Sequence, residues 1–283
     1  MSMNTPRNVS LFSLLMLVAS LVSAKPALIP SPPQVSAKSY ILLDATSGEI
    51  IVESNSQLPL PPASLTKMMT AYIVESEVAE GNVHLYDEVP ISVKAWKTGG
   101  SKMFIKEGSK VVLEDLLKGV IIQSGNDASI ALAEYVAGGE DAFADVMNQQ
   151  AVALGMMNSS FRNATGLPED DHFSTASDLA ILARAIIQNF PEQYPLYSEK
   201  YFTYNKIRQP NRNRLLWRDK SVDGLKTGHT EEAGFCLVAS AKRGDMRLIS
   251  VVMGTSNEDA RAKETQKLLN YGFRYYQTHT LYG

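Results

Sequence analysis

Strand-forming runs sit at the two ends of this chain, and helix-forming runs fill the stretch between them. Near the N-terminus, Ser39–Asp44 and Glu49–Glu53 are rich in Ile, Leu and Val. They flank Ala45-Thr46-Ser47-Gly48 and read as a hairpin. Near the C-terminus come Val222–Thr227, Phe235–Ala241 and Met246–Met253, the last two joined by Lys242-Arg243-Gly244-Asp245. Between them lie segments with helical spacing of apolar residues. Ser64–Val74 follows Pro61-Pro62, then come Glu114–Gln123, Asp127–Val136 stopped by Gly138-Gly139, and Asp141–Leu154. Leu179–Ile187 follows the cap-like Thr175-Ala176-Ser177-Asp178, and Asn257–Tyr275 reads as a closing helix. This order predicts an α/β fold of the α+β kind: an antiparallel sheet built from the terminal strands and covered by helices, plus a mainly helical lobe. A cleft between sheet and lobe is the natural place for a site.

Composition narrows the function classes. Hydrophobic residues make up 45% and charged residues 20% of 283, which excludes a disordered chain. The 27 Lys+Arg against 30 Asp+Glu, a net charge of -3, argue against nucleic acid as a partner. A single cysteine, Cys236, excludes an intrachain disulfide framework and a multi-cysteine metal site; its apolar neighbours place it in a buried strand. No metal site and no organic cofactor is expected.

The N-terminus carries Arg7, an apolar stretch from Val9 to Val22, and Val22-Ser23-Ala24 with small residues at the last and third-last positions. This is the layout of a secretory signal peptide over residues 1–24, with an uncleaved N-terminal anchor as the alternative. Residues 25–38, with Pro26, Pro30, Pro32 and Pro33, read as an extended leader. Residues 39–283 are expected to form one two-lobed domain.

Three short motifs carry the chemistry. Ser64 and Lys67 are three apart at a helix start, which brings hydroxyl and amine within reach on one face. A serine becomes a nucleophile when a base takes its proton, and a lysine is that base when its pKa is depressed. Ser-x-x-Lys alone is common by chance. It is followed by Ser124-Gly125-Asn126 between two predicted helices, and by Lys226-Thr227-Gly228 at the end of a predicted strand. Ser-x-x-Lys, Ser-x-Asn and Lys-Thr-Gly in that order form a set shared by penicillin-binding proteins and related β-lactamases.

On these motifs, and on Ala63–Thr70, Gln123–Ala128, Asn211–Asn213 and Val222–Thr230 around them, the chain from Ser36 onward resembles the serine-type D-alanyl-D-alanine carboxypeptidases, the low-molecular-mass penicillin-binding proteins. The resemblance implies a β-lactamase/transpeptidase-like fold and acyl transfer on peptidoglycan stem peptides ending in D-Ala-D-Ala, with β-lactams as covalent inhibitors. It implies a chain exported across the inner membrane to the periplasm or cell envelope. Ser64 is then the nucleophile, Lys67 its base, and Ser124 with Lys226 the proton relay to the leaving D-alanine. Asn126 would bind the substrate backbone, and Lys226, Thr227 and Gly228 its terminal carboxylate end. The backbone N–H groups of Ser64 and His229 would form the oxyanion hole. Lys226 beside Lys67 would help lower the pKa of the base.

Other residues keep two readings. Arg212 is a carboxylate contact or part of a solvated basic face with Arg208, Arg214 and Arg218. His172 is expected in a loop or at a helix approach, and Met68, Met69, Met156 and Met157 as core filling. Arg214 stands where similar chains often have a small residue, so substrate access there is expected to differ. Many members carry a second, β-rich domain and an amphipathic C-terminal anchor; neither is expected here, and membrane association is left open. The rival activities are a D,D-endopeptidase, a β-lactamase (although the Glu169 region lacks Glu-x-x-Leu-Asn) and a non-catalytic peptidoglycan-binding protein.

Overall fold

The computed structural model describes Met1 and residues 28–279; the secretory segment expected over 1–24 falls, Met1 apart, outside them. The chain divides into two units, Met1–Pro30 and Ser31–Gly283. In chain order the second unit contains β1 (Ser39–Asp44), β2 (Ile50–Ser54), a 3-10 turn (Ala63–Thr66), α1 (Lys67–Ala79), β3 (Glu88–Pro90), α2 (Val93–Lys97), β4 (Lys110–Val112) and α3 (Leu113–Lys118). A π-helical turn (Gly119–Gln123) leads to α4 (Asn126–Ala137), α5 (Glu140–Leu154) and α6 (Ala176–Asn189). Then come β5 (Tyr201–Tyr204), β6 (Ile207–Pro210), α7 (Leu215–Arg218), β7 (Val222–Thr230), β8 (Gly234–Arg243), β9 (Met246–Thr255) and α8 (Glu258–Tyr275).

The terminal strands do join. The main sheet runs β2-β1-β9-β8-β7, and each pairing is antiparallel. Its strands read as near-continuous apolar runs because both faces are covered. Successive side chains alternate between two cores. Ile41, Leu43, Val238, Ile249, Val251 and Met253 face the helical lobe. Leu42, Leu237, Ala239, Leu248 and Val252 face α8, meeting Ala262, Leu268 and Leu269. Cys236 is fully buried in β8, and burial pushes its thiol up to about 11.

Local signals explain the element ends. Thr175 accepts from Asp178 N at 3.1 Å and starts α6; Asp178 turns its own carboxylate to Asn158 N and Ser159 Oγ, so only half of a capping box forms. Asn257 caps α8 through Ala260 N at 2.8 Å. The β8–β9 loop is tighter than the four residues expected: Arg243 pairs with Met246, leaving Gly244-Asp245 as the turn. The expected helix 114–123 is α3 plus the π-helical turn, and residues 64–66 belong to the 3-10 turn rather than to α1. The antiparallel pair β3–β4, the hairpin β5–β6 and the short α2 were not expected. Met68, Met69 and Met156 are core residues, whereas Met157 is 70% exposed.

α1 is buried from Lys67 to Glu75 on all sides, as befits the central helix of a lobe. Glu75 therefore carries a carboxyl in the core. Burial raises it to about 8, and among the described residues its carboxylate accepts from Tyr197 Oη at 3.4 and 3.5 Å. A carboxyl raised this way makes the folded state bind its proton more tightly than the unfolded chain. Its contribution is whole below the ordinary 4.5 and is lost as pH rises toward 8. Glu75→Gln is expected to stabilise the protein by about 3 kcal/mol at pH 7 and to flatten this slope. Denaturant melts at pH 5 and pH 8 check it; equal slopes for both proteins would refute it.

Candidate active site

The 3-10 turn after Pro61-Pro62 presents Ser64, half-buried, at the mouth of a cleft, while Leu65 and Thr66 point into the core. One residue on, α1 begins with Lys67, which is 1% exposed. Its Nζ lies 3.1 Å from Ser64 Oγ, 2.7 Å from Asn126 Oδ1 and 2.5 Å from Thr165 O. The three-residue spacing thus brings hydroxyl and amine together. Two acceptors from distant segments complete the amine's shell.

Burial lowers the Lys67 pKa to about 7, opposed by the Asp127 carboxylate and assisted by Arg212. Burial comes first here, ahead of the like-charge pairing expected with Lys226. Lys226 is itself buried and held well below its ordinary value, by burial first and then by Lys67, Arg212 and Arg261. Two buried amines so close do not both carry a full charge, and desolvation does most of the work.

The second motif sits at a bend. The π-helical turn ends at Ser124, which has φ 65°, the left-handed region that a residue with a side chain adopts only when its surroundings hold it. The Ser124 Oγ is buried in the wall of the cleft and has no hydrogen-bond partner among the described residues. Asn126 opens α4, and both ends of its amide are engaged: Oδ1 accepts from Lys67 and Nδ2 donates to Gly99 O at 2.7 Å. Its amide oxygen thus helps to hold the lysine amine in place. The neighbouring Asp127 accepts from Met103 N, Phe104 N and Ile105 N, which pins the 99–105 loop beside Ser64.

β7 is an edge of the main sheet, so one side of its backbone is left for something other than a strand. Gly228 faces the 3-10 turn so closely that a Cβ would lie 2.9 Å from Pro62 O and 3.3 Å from Leu65 N. That close approach explains why the motif needs glycine. Lys226 points inward, with Nζ 3.1 Å from Thr227 O. The His229 side chain is exposed and stacks on Phe235 at 3.9 Å, so its ring packs on the surface of the strand.

These elements enclose a polar cavity of about 150 Å³. Ser64, Ser124, Arg212, Thr227, Gly228 and His229 line it, and Lys67, Asn126 and Lys226 lie buried behind the surface. Arg212 is exposed and donates to Ser101 Oγ at 3.2 Å across the cleft. Arg212 thus lines the cavity while remaining exposed to solvent. Arg214 instead turns to Glu258 at 2.7 Å. Sequence reasoning missed Ser101, Glu258 and Arg261, which also line the cavity. Arg261 in α8 is 6% exposed and reaches Gly228 O at 3.4 Å. No local pattern marks these residues; they come from a loop and a helix far along the chain. Thr165 was missed for a further reason: only its backbone oxygen takes part.

Glu169 lines a neighbouring cavity with Asp170, Asp171 and Glu232, not the one that holds Ser64. Among the described residues no group of three or more His, Cys, Asp or Glu is placed to hold a metal ion. Among them, too, no helix is long and apolar enough to cross a membrane.

A profile of the D-alanyl-D-alanine carboxypeptidases matches residues 27–257. The D-alanyl-D-alanine carboxypeptidase DacC of Escherichia coli (strain K12) is 50% identical over 255 residues, which cover 88% of this chain and 64% of that one. DacA of the same strain is 46% identical over 258 residues, covering 89% and 64%. The chain thus spans less than two thirds of the length of these relatives. Penicillin binding protein 5 from Haemophilus influenzae has a similar structure, with a TM-score of 0.85 at 46% identity over 87% of this chain and 73% of that one. Penicillin-Binding Protein D2 from Listeria monocytogenes in its ampicillin-bound form has a TM-score of 0.79 at 31% identity, covering 86% of this chain and 100% of that one. The transpeptidase-like fold expected from the motifs is the fold these structures share with it.

Proposed function

The chain belongs to the D-alanyl-D-alanine carboxypeptidase family, and from that premise we propose that it is a serine hydrolase removing the terminal D-alanine from peptidoglycan stem peptides ending in D-Ala-D-Ala. The observation that carries this reading is the shell of Lys67. A neutral amine has two N–H bonds and one lone pair. Asn126 Oδ1 at 2.7 Å and Thr165 O at 2.5 Å accept only, so they take the two N–H bonds. The lone pair is left facing Ser64 Oγ at 3.1 Å, and the hydroxyl donates to it.

The chemical steps rest on this geometry. The peptide's terminal carboxylate docks where Arg212, Arg261 and Thr227 line the cavity. Ser64 Oγ attacks the penultimate D-alanine carbonyl while its proton passes to Lys67 Nζ. The carbonyl oxygen becomes an oxyanion, held by the backbone N–H groups of Ser64 and His229. Ser124, whose Oγ has no partner among the described residues, together with Lys226 relays the proton taken by Lys67 to the departing nitrogen. The C–N bond breaks, free D-alanine leaves, and water later hydrolyses the ester on Ser64. A β-lactam follows the same first step and stays attached to Ser64; the similar Listeria protein is known in an ampicillin-bound form. Glu258, the carboxylate that lines this cavity, is paired with Arg214 at 2.7 Å and Arg261 at 3.7 Å, so it is not a free base for rapid ester hydrolysis. That favours carboxypeptidase over β-lactamase. The same reading takes residues 1–24 as an export signal, residues 39–283 as the catalytic domain, and the cell envelope as its place of work.

Mass spectrometry after incubation with a pentapeptide ending in D-Ala-D-Ala, and separately with benzylpenicillin, tests the proposal. Release of one D-alanine and a long-lived adduct on the Ser64 peptide are expected. Rapid turnover of penicillin without an adduct, or neither product, would overturn it.

A further inference from the structure

Beside the Ser64 turn lies a second cavity of about 460 Å³ lined by Ala63, Gly166, His172 and the carboxylates of Glu169, Asp170, Asp171 and Glu232. A buried wall separates it from Lys67. Thr66, Lys67 and Thr165 are each no more than 2% exposed, and none of them reaches this cavity. His172 closes the wall. Its ring is 6% exposed, edge-on to Phe161 at 5.8 Å, and its Nε2 lies 2.8 Å from Thr66 Oγ1. Nδ1 accepts from Arg162 N at 3.2 Å. A backbone N–H only donates, so the ring proton sits on Nε2 and is donated to Thr66, the residue beside the lysine.

We propose that His172 is a positioning residue: anchored to Thr66, its ring keeps the acidic cavity and its water away from the buried Lys67 amine. The proposal rests on the reading of Ser64 as nucleophile and Lys67 as base. Without the ring, water and the carboxylates of that cavity gain a path toward that amine, and both favour its ammonium form. The charged groups already facing Lys67 are Asp127, which raises its pKa, and Arg212, which lowers it; Lys226 is the adjacent amine. Those facing His172 are Arg162 and Lys67, which with burial hold the imidazole down at about 4, so it is neutral when the enzyme works. Arg162 is in turn 3.7 Å from Asp171. Any pH effect of replacing His172 near neutrality is therefore read through Lys67, not through titration of the ring.

The test is the pH dependence of acylation by benzylpenicillin for the full chain, H172A, H172Q and T66V, with thermal melts alongside. In H172A the acid limb is expected to move up by about one to two pH units, so acylation at pH 7 falls roughly ten- to a hundredfold. Above the new limb the rate recovers to within about threefold, which a general loss of structure would not allow. H172Q offers an amide N–H at similar reach and is expected to return the limb to within about half a unit. T66V keeps the volume but removes the anchor, and is expected to shift the limb in the same direction. An unmoved limb in H172A overturns the proposal. If H172A shows no cooperative melt, an unmoved limb in T66V overturns it instead. Absence of acylation in the unmodified chain at every pH would overturn the Ser64–Lys67 assignment, whereas acylation with unmoved limbs overturns that of His172 alone.

Discussion

Ser64→Ala is expected to abolish both D-alanine release and covalent labelling by penicillin, and Lys67→Met to slow acylation by about 10³-fold. The first removes the only atom proposed to bond with the carbonyl. The second keeps much of the buried volume and removes the base, and general-base catalysis is worth roughly 10²–10⁴. The lysine change also strands Asn126 Oδ1 and Thr165 O, each 2.7 Å or less from the lost amine, so a lower melting temperature should accompany the lost rate. The pH profile gives an independent check. With the amine at about 7, the unmodified enzyme should lose acylation about tenfold per unit as pH falls below 7, because only the neutral amine accepts the serine proton. Intact-mass labelling and a single-turnover pH series measure both effects. Labelling that survives in S64A would place the nucleophile elsewhere, and a flat profile through pH 7 would remove Lys67 as the base.

Gly166→Ala should be nearly as damaging, although Gly166 belongs to none of the three motifs. Its φ is +79°, and a Cβ there would lie 1.8 Å from Ala63 O and 2.9 Å from Thr66 Oγ1. Both neighbours belong to the turn that carries Ser64, and the first is backbone, so neither side yields cheaply. The surrounding loop is wound around Asn163, whose Oδ1 accepts from Thr165 N, Thr165 Oγ1 and Gly166 N. Thr70 Oγ1 ties the same loop to α1 through Ala164 O at 2.7 Å. Pushing the loop away from the turn would withdraw Thr165 O from Lys67. We expect a loss of at least about 3 kcal/mol, a melting temperature lower by roughly 6–12 °C, and acylation reduced well beyond what the remaining folded fraction explains. A melting temperature within about 1 °C of the unmodified protein would show that the loop has room to move.

The strong signals in the sequence were local. The terminal strands were legible because each is an apolar run bounded by turn residues, and α6 and α8 because Thr175 and Asn257 cap them. The short pieces were not. β3 and β4 have three residues each and offer Glu88, Pro90 and Lys110 in place of a strand pattern. The β5–β6 hairpin did carry a signal, Tyr201-Phe-Thr-Tyr followed by Asn205 and Lys206. Both turn residues have positive φ, as a tight hairpin requires, but Lys206 in place of glycine hid it.

At the site, spacing along one turn of chain determined that Ser64 and Lys67 meet, and the ordered motifs identified the segments that gather around them. Their names alone did not disclose what each does to the others. Asn126 turned out to hold Lys67, burial is the first cause that lowers the base, and Arg261, Ser101, Thr165 and His172 joined from loops and a helix with no pattern of their own. The reason is physical. Hydroxyl and amine three residues apart are placed by local geometry, which the sequence encodes directly. Desolvation, the two acceptors that aim the lone pair, and the wall behind Lys67 depend on which distant surfaces close over it, and only the folded chain brings those surfaces together.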